Sequence, residues 1–206
     1  MSRRADLLEF AVLGLLHESP MHGYELRKRL NAALGAFRAL SYGTLYPCLK
    51  SLSGRGLISA AQDGAETGPS ARARIVYELT ATGKEHFGDL VSRADATAYD
   101  DEGFGVRMAF FARTESEVRM RILEGRRSRL QERLDLIHAA SLAHRERMDS
   151  WTAALERHGE ESTRREVRWL TELIDAERHT PRGSRPGPLT DPHHPAYTPP
   201  PNPTKE

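Results

Sequence analysis

In the stretch SYGTLYPCLKSL, residues 41–52, two phenols, a hydroxyl and an ammonium group fall on one side of a short helical pattern: Tyr42, Thr44, Tyr46 and Lys50. Leu45, Leu49 and Leu52 form the opposite stripe at helical spacing. The leucines are explained by burial. The polar side offers hydrogen bonds and charge to a partner, and the type of partner depends on where the helix begins. A proline inside a helix loses a backbone hydrogen bond and clashes with the preceding turn, at a cost of about 3 kcal/mol. That cost largely vanishes in the first turn, where N–H groups are unpaired in any case. The spacing therefore predicts a helix starting near Gly43-Thr44, with Thr44 as its N-cap and Pro47 in its first turn. Such an end attracts phosphate, and recognition helices present their N-terminal residues to base edges in the same way. The alternative is that the tyrosines are half-buried packing residues.

No other cluster suggests chemistry as directly. The nine histidines are scattered. His193 and His194 lie near the C-terminus, and His138 and His144 are too poorly spaced to form a ligand pair, so no metal is expected. Cys48 reads as a small buried residue, because a reactive thiol needs an exposed site that depresses its pKa. Asp100, Asp101 and Glu102 are adjacent and read as a solvated hinge. There is no Gly-rich phosphate loop, nucleophile elbow or H-E-x-x-H motif. Neither an enzyme nor a cofactor is expected.

The chain has 206 residues, 29% charged and 38% hydrophobic, which suits a soluble, helix-rich protein of one or two small domains. No apolar run approaches the ~20 residues that span a bilayer. The basic, apolar N-terminus invites a signal-peptide reading, but Asp6 and Glu9 interrupt it and no small-x-small cleavage site follows. The single cysteine fits a reducing cytoplasm. The formal net charge of +1 does not announce a nucleic-acid partner. Basic residues would have to act locally, as Arg27-Lys28-Arg29 before the opening stretch and Arg72 and Arg74 after it could.

Several elements are needed to hold these groups in place. Leu8, Val12, Leu15 and Leu16 predict an amphipathic helix ended by Ser19-Pro20. Leu26, Leu30 and Leu34 predict a second helix from His22-Gly23 to Gly35. The opening stretch supplies the third, closed by Gly54 or Gly56. Residues 57–61 and 74–79 read as two strands around the polar loop DGAETGPSAR, with Ile75, Tyr77 and Leu79 on one face. Thr80 or Thr82 can cap a further helix with Phe87, Leu90, Val91 and Ala94 buried; Thr82 and Glu85 have capping-box spacing. The order helix, helix, helix, strand, strand, helix is that of a winged helix-turn-helix.

Beyond residue 98 the pattern changes. Thr114 and Glu117 form a second capping box, and charged residues then alternate to about residue 157. Leu130, Leu134, Ile137, Ser141, His144, Met148, Trp151 and Leu155 make a heptad-like seam, interrupted by Ser141 and His144. Ser162 or Thr163 can cap a last helix carrying Val167, Leu170 and Ile174. From Thr180 on, nine of the twelve prolines gather with almost no large apolar residues, so a disordered tail is expected. The fold class expected is mainly α with a small β-hairpin. It comprises a winged-helix DNA-binding domain (1–98), a region of long helices for dimerisation (99–179) and a Pro-rich tail (180–206).

Four blocks carry a family resemblance: HGYELRKRL from His22, SYGTLYPCLKSL, GRGLI from Gly54, and RIVYELTATG from Arg74. In this order, over about residues 7–98, they closely resemble the successive motifs of the PadR family of transcriptional regulators. The resemblance implies a cytoplasmic, homodimeric winged-helix repressor that binds palindromic operator DNA and is nucleoid-associated when bound. It assigns DNA contact to Tyr42, Gly43, Thr44, Tyr46, Pro47 and Lys50 on the third helix, to Tyr24 on the second, and to Arg72 and Arg74 on the wing. The wing tip is longer and poorer in basic residues than this role suggests. Dimerisation falls on the long helices, for which the seam supplies Leu130, Leu134, Ile137, Met148, Trp151 and Leu155. The family often responds to small aromatic or hydrophobic compounds. Candidate lining residues for such an effector are Phe10, Phe104, Phe110, Phe111, Trp151 and Trp169, whose alternative is ordinary core. The rival function is a protein–protein interaction module that does not bind DNA, which the near-neutral charge favours.

Overall fold

Nine consecutive residues, Leu8 to Leu16, are buried in the first helix, α1 (Arg3–Glu18). A helix buried all round is a central one, not the one-faced helix that its leucine spacing suggests. The structure, a computed structural model, describes residues 3–34, 42–62, 75–144 and 149–179. Arg72, Arg74, Met148 and the tail from Thr180 lie outside the described residues. Around α1 pack α2 (Gly23–Leu34), α3 (Tyr42–Gly54), α4 (Ala81–Ser92) and the strand β3 (Ile75–Leu79). Leu26, Leu30, Leu45, Leu49, Leu52 and Phe87 complete the core.

The hairpin pairs β2 (Ile58–Gln62) with β3, Ile58 opposite Leu79 and Gln62 opposite Ile75. On the other edge of β3 lies a strand that periodicity could not reveal: β1 (Met21–His22), with Met21 opposite Tyr77. The small sheet thus has three antiparallel strands with β3 in the middle. Central placement also explains why Val76 is half-buried along with Ile75 and Tyr77.

Two expected caps are revised. Helix α3 starts at Tyr42, so Thr44 is a helical residue and not the N-cap, and Pro47 lies inside the helix. The bond that Pro47 cannot make is the one to the carbonyl of Gly43, four residues back. Helix α4 is capped by Thr80 and not by Thr82; the Thr80 hydroxyl accepts from the Gly83 N–H at 3.0 Å. The same hydroxyl donates to the Gly56 carbonyl at 2.7 Å, and the Thr80 N–H donates to the Leu57 carbonyl at 3.2 Å. Gly56 takes φ +70°, a conformation suited to glycine, as the chain turns from α3 into β2.

A charged contact ties α1, the turn after α3 and α4 together. Glu9 of α1 is almost buried; it accepts from Arg55 Nη1 at 2.6 Å and lies 3.1 Å from His86 Nε2 of α4. Partners of this kind are what make a buried carboxylate tolerable. Cys48 is half-buried nearby, and burial, reinforced by the negative Glu9, pushes its thiol up to about 11.

The acidic run is not a solvated hinge. Asp100 is buried and its Oδ1 accepts from the N–H groups of Glu102 (3.0 Å) and Gly103 (2.6 Å), opening α5 (Gly103–Met108). Arg3 reaches its other oxygen at 3.1 Å. Val106 and Phe110 join the core, and the Phe110 ring would lie 2.2 Å from a Cβ at Gly14. The first compact unit therefore runs past residue 98 to Ile122. Thr114 forms no capping box: its hydroxyl donates back to the Phe110 carbonyl.

In the second unit, α6 (Ser116–His144, from Leu123 on) and α7 (Ser150–His179) run antiparallel. Arg126 meets Glu166 at 2.8 Å, Arg178 meets Glu124 at 2.9 Å and His138 meets Glu160 at 2.7 Å. Leu123, Leu130, Leu170 and Ile174 are buried there. Helix α7 opens at Ser150, and Asp149 accepts from the N–H groups of Trp151 and Thr152 there. Thr163, expected as a cap, lies in mid-α7 and donates to the Gly159 carbonyl.

Two consequences can be measured. A Cβ at Gly83 would lie 1.9 Å from the Leu57 oxygen, whereas one at Gly88 on the same helix meets nothing within 4 Å. Gly83→Ala should cost about 1–3 kcal/mol or more, and Gly88→Ala should stabilise by about 0.4–1 kcal/mol, both from urea midpoints. A thiol held near 11 is almost wholly protonated at pH 8. Iodoacetamide should therefore alkylate Cys48 about a hundredfold more slowly in the folded chain than in denaturant at that pH.

Candidate nucleic-acid interface

Helix α3 has two sides of opposite character. Leu45, Leu49 and Leu52 are at most 2% exposed and fasten it to its own domain. Thr44, Tyr46, Pro47 and Lys50 are exposed, with Tyr46 at 47%. Of Tyr42 and Gly43 only the helical backbone is described. Tyr24, in the first turn of α2, is 66% exposed, and the Arg27 guanidinium sits 5.8 Å from its ring centroid. The structure therefore exposes Tyr24, Thr44, Tyr46, Pro47 and Lys50 on the first unit, on its second and third helices.

The basic run on α2 is less available than its sequence suggests. Arg29 Nη2 lies 2.7 Å from Glu25, and its Nη1 lies 3.8 Å from Glu18. Much of its charge is answered locally. Lys28 is exposed on the same helix, and Lys50 is exposed on α3.

Two residues that motif spacing did not single out lie behind this surface, Gly23 buried and Tyr77 half-buried. A Cβ built on Gly23, the first residue of α2, would meet Tyr77 Cε2 at 3.5 Å, Tyr46 Cε1 at 3.6 Å and the Tyr46 hydroxyl at 3.7 Å. The bare glycine backbone is thus flanked by one phenol from α3 and one from β3. Burial raises the Tyr77 phenol above its ordinary value, and the nearby Tyr46 adds to the rise. The one sequence signal was that Tyr77 alternates with Ile75 and Leu79.

The residues expected to dimerise are divided. Leu130 is already buried within its own chain, and Leu134 and Ile137 are half-buried on α6. Trp151 and Leu155 begin α7 at 84% and 72% exposure, and Leu136 of α6 is exposed to 72%. The effector set falls on both compact units, the four phenylalanines on the first and the two tryptophans on the second. Phe10 and Phe110 meet edge to face at 5.3 Å, Phe87 lies 5.5 Å from Phe10, and Arg107 covers Phe10 at 4.3 Å. These rings fill core volume. Phe104 is buried and Phe111 half-buried in the same unit. Trp151 and Trp169 both lie on α7, about 27 Å apart along its axis, too far to line one small pocket together.

Comparison with known proteins bears on the same region. Residues 12–89, from α1 into α4, match the transcriptional regulator PadR-like family. Over 87 residues the chain is 30% identical to the negative transcriptional regulator PadR of Bacillus subtilis, covering 42% of this chain and 46% of that protein. The chain thus spans less than half the length of this curated relative. Among solved structures, a PadR-like transcription factor from Bacteroides fragilis is 31% identical, with 42% of this chain and 79% of that one covered and a TM-score of 0.36. Bacillus subtilis PadR in complex with operator DNA is 20% identical, with 82% and 98% covered and a TM-score of 0.39. The match over residues 12–89 covers the helix–helix–helix–hairpin unit and all four sequence blocks. Residues 12–89 thus match the PadR-like family of transcriptional regulators.

Proposed function

We propose that this protein is a DNA-binding transcriptional regulator that acts as a homodimeric repressor on a palindromic operator and is released by a small aromatic or hydrophobic compound. The observation that carries DNA binding is the division of α3, its leucines buried and Thr44, Tyr46 and Lys50 exposed. In this reading α3 enters a major groove and Lys50 meets a phosphate. Tyr24 adds a contact from α2, and Arg72 and Arg74 add contacts from the wing. Repression is supported by the described role of the curated relative, a negative regulator. Effector release rests on the resemblance to the PadR-like family.

Two copies are supported by Leu136, Trp151 and Leu155. Large apolar side chains exposed at 72–84% favour a partner surface. A two-fold arrangement would also set two recognition helices for half-sites about 34 Å apart.

A gel shift on the DNA upstream of the protein's own gene, over a salt series, tests the DNA reading. Tyr46→Ala and Lys50→Ala should each weaken the shift and leave folding intact, and Lys50→Ala should lower the salt slope by about one. Unchanged affinity in both variants would rule out the recognition-helix assignment. No shift at low salt with the unmodified chain would favour the protein-interaction module. For the dimer, Trp151→Glu combined with Leu155→Glu should halve the mass seen by light scattering; an undiminished mass would exclude this face.

A further inference from the structure

We infer that Tyr77, a residue of the wing's central strand, and the bare backbone of Gly23 act together to position Tyr46 for base discrimination, without touching DNA themselves. The inference rests on the DNA-binding reading above and assigns a role to two residues outside the expected contact set.

Tyr46 is 47% exposed on a helix whose other face is fixed by three buried leucines. A phenol half in solvent has freedom about its side-chain torsions unless something restrains it, and ordering it on binding opposes affinity. Here the restraint is visible. Tyr46 Cε1 and hydroxyl lie 3.6 and 3.7 Å from the point where a Gly23 side chain would begin, and Tyr77 Cε2 lies 3.5 Å from it. The rings of Tyr46 and Tyr77 therefore both border the side-chain space that Gly23 leaves open. Tyr77 is itself anchored: it packs on the core and sits opposite Met21 on one neighbouring strand and Ala60 on the other. A fixed ring on the sheet, a flat glycine surface and a half-exposed ring on α3 make a graded support. The Tyr46 ring is then limited in its angle before any partner arrives.

The spacing at Gly23 gives an internal control. A single methyl at 3.5–3.7 Å makes ordinary contact and moves nothing, whereas the γ-carbons of a branched side chain reach into the space of the two rings. Gly23→Ala should thus resemble the parent, and Gly23→Val should displace Tyr46. Tyr77→Phe keeps the ring, and Tyr77→Leu removes it.

The test compares affinity for the upstream DNA with affinity for an unrelated duplex of equal length. A positioning role changes the ratio of the two, whereas general unfolding lowers both. Tyr77→Leu and Gly23→Val should reduce the ratio about tenfold, the scale of one base contact. Tyr77→Phe and Gly23→Ala should leave it within about twofold of the parent. With Tyr46→Ala already present, Tyr77→Leu should change nothing further. An equal loss in that background, or a ratio lowered by Tyr46→Ala but not by Tyr77→Leu or Gly23→Val, would overturn the inference while leaving the DNA reading intact. A parent chain with no preference between the two DNAs would overturn both. Should the larger substitutions unfold the chain, NMR of the parent still decides. Cross-peaks between the Tyr46 ring and the Gly23 α-protons are expected, and their absence would exclude the contact.

Discussion

The carbonyl of Leu57 occupies the space where any residue but glycine at position 83 would put its side chain. The same carbonyl accepts from Thr80, and Thr80 in turn holds the Gly56 turn and caps α4. This close approach closes a loop made of the end of α3, both wing strands and the start of α4. Two further placements follow from it. With β2 fixed against β3, Tyr77 is fixed beside α2. With the end of α3 fixed, its leucine stripe can face only α1 and the core. The outward side of α3 is thus a by-product of what is tied down behind it.

That geometry also explains how α3 tolerates Pro47. Interior proline is costly because it removes one bond and crowds the preceding turn. Burying Leu45, Leu49 and Leu52 contributes about 2 kcal/mol for each side chain, enough to hold the helix through such a defect. The residue at the crowded position, four back from the proline, is Gly43. Tertiary packing thus outweighs the local preference for a proline in the first turn, and the helix starts at Tyr42.

Much of this was legible in the residues. The winged order, the two hairpin strands, Thr80 as a candidate cap and the two-sided character of the opening stretch all rest on local periodicity or turn chemistry, which act within a few residues. What escaped depended on distant partners. A two-residue strand such as β1 has no period. The all-round burial of α1 depends on how many elements surround it. Asp100 reads as a surface charge until its bonds to the next backbone N–H groups are seen. The seam from Leu130 to Leu155 falls on two helices, α6 described to His144 and α7 from Ser150, the latter opened by Asp149. Spacing alone does not show that its two halves belong to different helices. The pairing of Tyr46 with Gly23 and Tyr77 joins three separate blocks, so no single block displays it.

The engagement of Arg29 by Glu25 and Glu18 has a kinetic consequence. A chain of net charge +1, with part of its second helix neutralised in place, generates little field at a distance. For the proposed DNA partner, encounter is then driven mainly by diffusion and gains little from electrostatic steering. Discrimination among sites falls to dissociation: how long the short-range contacts of α3 hold once they are made.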